Sequence, residues 1–144
     1  MYLLIPSLFL IFISCSKSST ETTDVITNSL VAKWKYNGIK TNGIVSQITT
    51  CDKNGYVVFN TNGTFERKDY YFSENNNTCV LEGDEKGTYT YSSSTNKIVL
   101  KFTDPYDGAQ VETWNNVKFT NSSLDFTWDE NNDGKDEHAV SYIK

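Results

Sequence analysis

Three cysteines carry the clearest chemistry in this sequence of 144 residues. Cys15 follows an apolar run, whereas Cys51 and Cys79 lie further along the chain among polar and aromatic residues. A cysteine thiol can accept a lipid, close a disulfide or bind a metal, and its surroundings decide between these roles. The odd number indicates that at least one cysteine has a task other than an intramolecular disulfide.

The apolar run before Cys15 predicts a cleaved leader peptide rather than a membrane span. It covers residues 2–13, fewer than the about 20 apolar residues that a bilayer requires, and has the length of a signal-peptide core. The letters FISC at residues 12–15 resemble the lipobox of bacterial lipoproteins, in which the cysteine is acylated and the chain is cut before it. The resemblance implies a signal peptide at 1–14, a lipid-bearing Cys15 and a flexible tether at 15–28.

A lipid on the first mature residue would place the protein in the bacterial cell envelope. Two or three acyl chains, such as palmitate, hold a protein firmly on a membrane, whereas one chain binds marginally. Residues 16–19 read SKSS and lack the acidic signal that sends some lipoproteins of the Bacteroidetes group to the cell surface. We therefore expect an outer-membrane lipoprotein that faces the periplasm, with surface exposure as the alternative.

Cys51 and Cys79 are predicted to form a disulfide. An exported protein meets an oxidising compartment, where the two remaining cysteines pair by default. The rival interpretation is a metal site with two thiolates, but the single histidine, His138, is distant in sequence and no CxxC motif is present. The bond is expected to contribute roughly 3–4 kcal/mol to stability.

The letters DENNDG at residues 129–134 match the start of a calcium-binding loop. In such a loop the alternating oxygens of Asp129, Asn131 and Asp133 would wrap a hard cation. The complete motif needs a glutamate at its twelfth position, where this chain has Val140. Because Asn and Asp clusters also form ordinary hairpin turns, we predict a solvated turn and no metal, with these three residues as the candidate ligands.

The sequence offers no constellation for catalysis. His138 stands alone beside acidic residues, and neither a GxSxG elbow nor a glycine-rich phosphate loop occurs. We predict no enzymatic activity, no catalytic residue and no cofactor. Aromatic side chains could instead contact a ligand, and Tyr89, Tyr91 and Trp128 are the candidates.

Composition and alternation predict an all-β chain that does not bind nucleic acid. The net charge is −5, whereas nucleic acid requires clustered Lys and Arg. Aromatic residues make up 14% of the chain, and short alternating runs are separated by Asn, Gly, Asp and Ser. These runs predict strands at 30–39, 46–51, 55–60, 63–72, 87–92, 97–103, 109–120, 123–129 and 137–144.

The spacing of these strands predicts an antiparallel up-and-down meander. Tight turns such as Asn62-Gly63 make neighbouring strands pair in chain order. Closure of about eight strands into a barrel would remove the two open edges. A two-sheet sandwich is the main alternative.

The order of the motifs resembles the lipocalin-like domain of small bacterial lipoproteins, over about residues 29–144. The matching features are Trp34 in the first strand, Cys51, VVFNTNGTF at 57–65, Cys79, GTYTY at 87–91, IVLKF at 98–102 and LDFTW at 124–128. This resemblance implies a lipocalin-like β-barrel with a central cavity at 29–144, and it names no ligand. We expect non-covalent binding of a small apolar or amphipathic molecule. The alternative is a structural or adaptor lipoprotein whose filled barrel contacts a protein partner.

Overall fold

A computed structural model describes residues 29–144 of the chain. The predicted leader peptide at 1–14 and the predicted tether at 15–28, with its lipidation site Cys15, lie outside the described residues. Within the part described, no helix has the length and apolar character needed to cross a bilayer.

Within residues 29–144, nine strands and one short 3-10 helix account for the regular structure. The 3-10 helix spans Asp52–Asn54. The strands are β1 (Lys33–Thr41), β2 (Ile44–Val45), β3 (Tyr56–Phe59), β4 (Thr64–Ser73), β5 (Thr78–Ser92), β6 (Lys97–Asp104), β7 (Gly108–Phe119), β8 (Ser123–Trp128) and β9 (His138–Ile143).

Eight of these strands close into an antiparallel barrel. From β3 to β9 each strand pairs with the next along the chain, and β1 pairs with both β3 and β9. The two-residue β2 pairs only with the end of β1 and forms a short arm outside the ring. The predicted all-β, up-and-down antiparallel barrel is therefore confirmed, and the sandwich alternative is wrong.

Two of the predicted elements differ from the structure. The predicted strand at 46–51 is absent, because residues 46–49 are irregular and a turn at 50–51 leads into the 3-10 helix. Strand β5 runs for 15 residues, whereas the sequence predicted only the part at 87–92. The charged run LEGDEKG at 81–87 resembles a loop in composition, but one of its edges pairs with β4 along most of its length, and β6 joins the other edge from Gly87 onward.

A packed apolar core fills one end of the barrel, which we call the closed end. Trp34 is fully buried there, and its indole nitrogen Nε1 donates a hydrogen bond of 2.9 Å to the carbonyl oxygen of Leu30. The other buried members of the core are Val57, Phe59, Phe65, Tyr89, Ile98, Leu100, Trp114, Val117, Leu124, Phe126, Val140 and Tyr142. Inward-facing residues of every barrel strand contribute to this core, as strand alternation requires.

The predicted disulfide between Cys51 and Cys79 is present, with 5.2 Å between the two Cα atoms. It joins the segment before the 3-10 helix to the start of β5. Cys51 is buried and Cys79 is exposed, so the bond fastens this connecting segment to the barrel.

Loss of this disulfide is expected to lower stability. Cys51→Ser with Cys79→Ser should reduce the free energy of unfolding by about 3 kcal/mol, because the denatured chain is no longer cross-linked. Urea unfolding with and without reductant measures this loss. Reductant should weaken the natural protein and leave the double variant unchanged; an equal effect on both would contradict the stabilising role.

Candidate functional site

The end of the barrel opposite Trp34 is open and holds a cavity of about 440 Å³. We call this cavity the mouth. Its apolar and aromatic walls include Tyr36, Ile39 and Trp128. Four carboxylate side chains also line it: Asp52, Asp69, Glu82 and Glu85. The mouth therefore combines an apolar, aromatic wall with a strongly acidic wall.

A smaller cavity of about 260 Å³ continues from the mouth toward the core. It shares Tyr36, Ile39, Asp69 and Trp128 with the mouth. Its further lining residues form the floor: Arg67, Glu112, Phe126, Val140 and Tyr142. Below this floor the barrel is filled by the apolar core, so a ligand could enter only from the open end.

Strand alternation brings charged side chains into the barrel. On β4, Arg67 and Asp69 follow the buried Phe65 at intervals of two residues and so share its inward face. The pairing of β4 with β5 shifts between Asp69 and Tyr70, which leaves Glu82 as an extra residue in β5. This β-bulge lies at the rim of the mouth, where such irregularities commonly redirect side chains.

Arg67 is the centre of an ion network on the floor. Its Nη1 lies 2.9 Å from Oε1 of Glu112, and its Nη2 donates to Oε2 of the same carboxylate at 3.0 Å. Its Nε lies 3.3 Å from Glu85 and 3.5 Å from Asp69. Burial alone lowers the pKa of Arg67, but Glu112, Asp69 and Glu85 together hold this pKa above its ordinary value. The guanidinium therefore stays charged.

Asp69 carries the most perturbed carboxyl group of the mouth. Burial raises the pKa of Asp69 to about 6; Arg67 opposes this shift, while Glu85, Glu112 and Glu82 add to it. Its side chain is 39% exposed against 15% for Arg67, so Asp69 lies between the floor and solvent. Near pH 7 one guanidinium then faces three carboxylates, and the network has excess negative charge.

Asp69→Asn is expected to raise the melting temperature more at pH 7.5 than at pH 4. The pKa of an aspartate in an unfolded chain is about 3.9, so the folded protein retains the Asp69 proton across roughly pH 4 to 6. Stability attributable to this group falls as the pH rises through that window. Asparagine avoids the loss. Thermal unfolding at both pH values measures the difference; an equal or larger gain at pH 4 would contradict the raised pKa.

Two tyrosines beside the network keep their protons at neutral pH. Burial, aided by Asp52 and Asp69, raises the pKa of Tyr36 to about 12. Burial likewise raises the pKa of Tyr142 well above its ordinary value. Their rings meet edge to face with centroids 5.6 Å apart. Tyr36 supplies a neutral wall to both cavities, and Tyr142 supplies one to the smaller cavity alone.

Comparison with protein families assigns this fold. A profile for a lipocalin-like domain matches residues 30–126, which extends from before β1 to near the end of β8. The chain belongs to the lipocalin-like domain family. Comparison with curated proteins and with solved structures gave no match. A lipocalin-like barrel is a fold of the ligand-binding type, and the family is generally non-enzymatic.

The lipocalin-like barrel separates the three predicted ligand-contacting aromatics. Trp128 lines the mouth and stacks on His138 with ring centroids 5.2 Å apart. Tyr89 is 3% exposed in the core, where its hydroxyl donates to the carbonyl oxygen of Asn60 at 3.0 Å. Tyr91 packs edge to face on Phe119 at 5.4 Å. Of the three, Trp128 alone lines the mouth.

The charged floor of the mouth was not predicted from the sequence. A signal was present, because Arg67 and Asp69 alternate with Phe65 and so share the face of a residue that reads as core. Charged side chains rarely point into a barrel whose interior is completely filled by apolar side chains. The pattern alone did not show which strands face Arg67, and the partners Glu85 and Glu112 come from two other strands.

The predicted calcium-like turn lies between β8 and β9. Asp129 accepts a hydrogen bond from the backbone of Gly134 at 2.8 Å, and Asn131 accepts one from Asp133 at 2.8 Å. Carboxylate oxygens of Asp129, Asp133 and Glu137 lie within 4.8 Å of one another. Glu137 had not been a candidate. The backbone bonds are those that Asx turns make in a solvated loop.

His138 lies beside this turn and not inside the mouth. Its Nδ1 is 3.1 Å from the hydroxyl of Thr41, and its Nε2 is 2.9 Å from the carboxylate of Glu130. Both ring nitrogens thus have partners, and the imidazole stacks on one face of the Trp128 indole.

A groove of about 510 Å³ also crosses the outer face of the barrel beside β2. Its polar rim includes the exposed residues Lys40, Lys118 and Asp125. Charges of both signs on an outward sheet face are typical of solvated surface. The mouth, with its inward charges and aromatic wall, is therefore the better candidate for a functional site.

Proposed function

We propose that this protein is a lipid-anchored, non-enzymatic binding protein of the bacterial cell envelope that holds one small amphipathic molecule in its mouth. The observation that carries the proposal is the cavity of about 440 Å³ at the open end of the barrel. Ligand pockets span about 300–1,000 Å³ and combine apolar walls with a few placed polar groups. The mouth matches that description in size and in lining.

The division of the barrel into a filled half and an open half supports a single bound molecule. Trp114 and Phe126 stack with centroids 3.8 Å apart and close off the core. Beyond this stack lie Trp128 and Tyr36, which line both cavities. An apolar body would pack against Trp128 and Ile39 above this stack, and polar atoms would meet the carboxylates of the mouth.

The position of the first described residues supports an orientation for the anchored protein. Ser29 lies at the closed end, where its carbonyl oxygen is 3.4 Å from Nζ of Lys144. The tether at 15–28 would therefore join the barrel opposite its mouth. A barrel held through Cys15 and this predicted flexible tether would therefore keep its mouth clear of the attachment point and accessible from the aqueous side, which is the periplasm in the proposed arrangement.

Cys15→Ala is expected to release the protein from the membrane. Without the thiol no diacylglyceryl group can be attached, and the apolar chains that provide the binding energy are lost. Fractionation of cells that produce each form measures the result, and nearly all of the variant should appear in the soluble fraction or remain unprocessed. A variant that is cleaved and still recovered with membranes would contradict the anchor.

Native mass spectrometry of protein exported and purified gently tests the binding function. We expect a reproducible extra mass that denaturation removes. Ile39→Trp should abolish this mass, because Ile39 lines both cavities and an indole would fill them. Ile44→Trp is the matched control, since Ile44 is 74% exposed on the β2 arm. A bare mass, together with no uptake of the neutral fluorescent probe N-phenyl-1-naphthylamine, would overturn the proposal in favour of a filled-barrel adaptor.

A further inference from the structure

The charges that line the mouth are all of one sign. Its four carboxylates are Asp52, Asp69, Glu82 and Glu85, and no Lys or Arg joins them among the described residues that line this cavity. They come from the 3-10 helix, β4 and β5. A concave site with charges of one sign and low-dielectric walls concentrates ligands of the opposite charge.

The buried cation on the floor is already fully engaged. Arg67 forms a bidentate ion pair with Glu112 and makes further contacts with Glu85 and Asp69. A ligand carboxylate would add negative charge to a guanidinium that three carboxylates already surround. Removing those charges from water without a new partner is costly. The network therefore disfavours anionic ligands such as fatty acids.

The nearby lysines belong to the outer face of the barrel. Nζ of Lys68 lies 3.3 Å from Asp84 and 3.8 Å from Glu66, and Nζ of Lys86 lies 3.9 Å from Asp84. These residues alternate with the inward Arg67 and Glu85 along their strands and so point away from the cavity. They therefore add no positive charge to the acidic wall of the mouth, of which Asp69 and Glu85 also contact Arg67 on the floor.

Aromatic rings complete a site for a cation with an apolar body. Tyr36, Tyr70 and Trp128 line the same cavity as the four carboxylates. Aromatic faces attract ammonium groups, most strongly when water is excluded, and rings grouped around a cation are a common means of binding alkylated ammonium ions. A hydrated metal ion would make no use of such walls.

We infer that the mouth selects an organic cation, a small molecule with an ammonium-type head and an apolar body. The inference rests on the proposed binding function and names the chemical class of its ligand. The head lies among Asp69, Glu82 and Glu85, and the body packs against Trp128 and Ile39. The aromatic and acidic walls then each meet the part of the ligand that complements them.

Competition between small molecules that share a benzyl group but differ in charge tests this inference. Purified protein is first loaded with the neutral probe N-phenyl-1-naphthylamine, which reports binding in the mouth through its fluorescence. Benzyltrimethylammonium, benzyl alcohol and phenylacetate are then titrated as cationic, neutral and anionic competitors. We expect the cation to displace the probe at a concentration about tenfold lower than the neutral competitor, and the anion to be the weakest.

Two substitutions locate the charge selectivity. Asp69→Asn should reduce the preference for the cation over benzyl alcohol about threefold or more, because it removes one carboxylate of the mouth. Asp84→Asn is the matched control, since Asp84 pairs with Lys68 on the outer face, and it should leave the preference unchanged. A melting curve of each variant shows that the barrel is folded.

The outcomes separate this inference from the function on which it rests. Probe uptake with equal displacement by all three competitors, or with stronger displacement by phenylacetate, overturns the organic cation and leaves the binding function in place. Displacement by calcium chloride at the concentration that benzyltrimethylammonium requires would also overturn it, since a metal would then explain the acidic wall. Failure of the probe and of every competitor to bind overturns the proposed function itself.

Discussion

Replacing Arg67 with methionine is expected to lower the free energy of unfolding by about 3–5 kcal/mol. The guanidinium is largely buried and contacts Glu112, Glu85 and Asp69. Methionine keeps most of the volume of the side chain but leaves the three carboxylates without their cation. Their mutual repulsion and loss of hydration then act on the folded state alone. Urea unfolding at pH 7 measures the change.

Removing the charge from the partners should restore much of this loss. The triple variant Arg67→Met, Glu85→Gln and Glu112→Gln has no unpaired ion among these three positions and should be clearly more stable than Arg67→Met alone. Lys68→Met provides a control on the neighbouring outward position of β4, where the ion pairs are nearer to solvent, and should cost much less. A loss for Arg67→Met no larger than that for Lys68→Met would contradict the buried network.

Trp34→Ala is expected to cost about 3–5 kcal/mol of unfolding free energy. Trp34 is fully buried at the closed end. Its indole donates a hydrogen bond to the carbonyl oxygen of Leu30, which holds the segment before β1 against the barrel. Nζ of Lys144 lies 4.6 Å from the centroid of its ring and covers it from outside. Alanine would leave a cavity and an unpaired buried carbonyl, and both of these destabilise.

The same substitution at the other end of the barrel is the matched control. Trp128→Ala removes an indole that lines an open cavity, so less packing is lost and water can fill the space. Urea unfolding should therefore show a clearly smaller loss for Trp128→Ala than for Trp34→Ala. Equal losses would contradict the division of the barrel into a filled end and an open end.

The fold could be predicted from the sequence because local patterns of apolar and polar residues indicate most of the strands. In β6 and β8 the apolar residues alternate with polar ones, and the structure buries Ile98, Leu100, Leu124 and Phe126 as that pattern requires. The Asn62-Gly63 turn has Gly63 at a φ of 79°, a left-handed conformation that glycine adopts without strain. Such local signals define a meander even before any long-range contact is known.

The candidate site could not be predicted to the same extent, because it depends on contacts that are distant in sequence. Arg67 meets Glu112 across 45 positions of the chain, and this contact requires the register of three strand pairs between them. The closing pair, β1 with β9, joins the two ends of the domain. The alternation in LDFTW places Trp128 on the same face of β8 as Leu124 and Phe126, but alternation cannot show that Trp128 and Asp69 share one cavity.

The composition of β5 explains why half of it was missed. Glu82, Asp84, Glu85 and Lys86 give the run a loop-like charge density, and β-propensity is low for such residues. In the barrel each of these side chains lies on one of two polar surfaces, the acidic mouth or the outer face. A strand that is polar on both faces lacks the alternation of apolar and polar residues by which strands are predicted from sequence.

Nuclear magnetic resonance of the tryptophan indole groups tests the central claim most directly. The chain has three tryptophans, and Trp128 lies at the mouth while Trp34 lies at the closed end. Trp→Phe variants assign each indole signal in a ¹H–¹⁵N correlation spectrum. On addition of N-phenyl-1-naphthylamine we predict a progressive, saturable shift of the Trp128 signal and a constant Trp34 signal. A Trp128 signal that stays unchanged, or a shift of the same size at Trp34, would contradict a ligand site in the mouth.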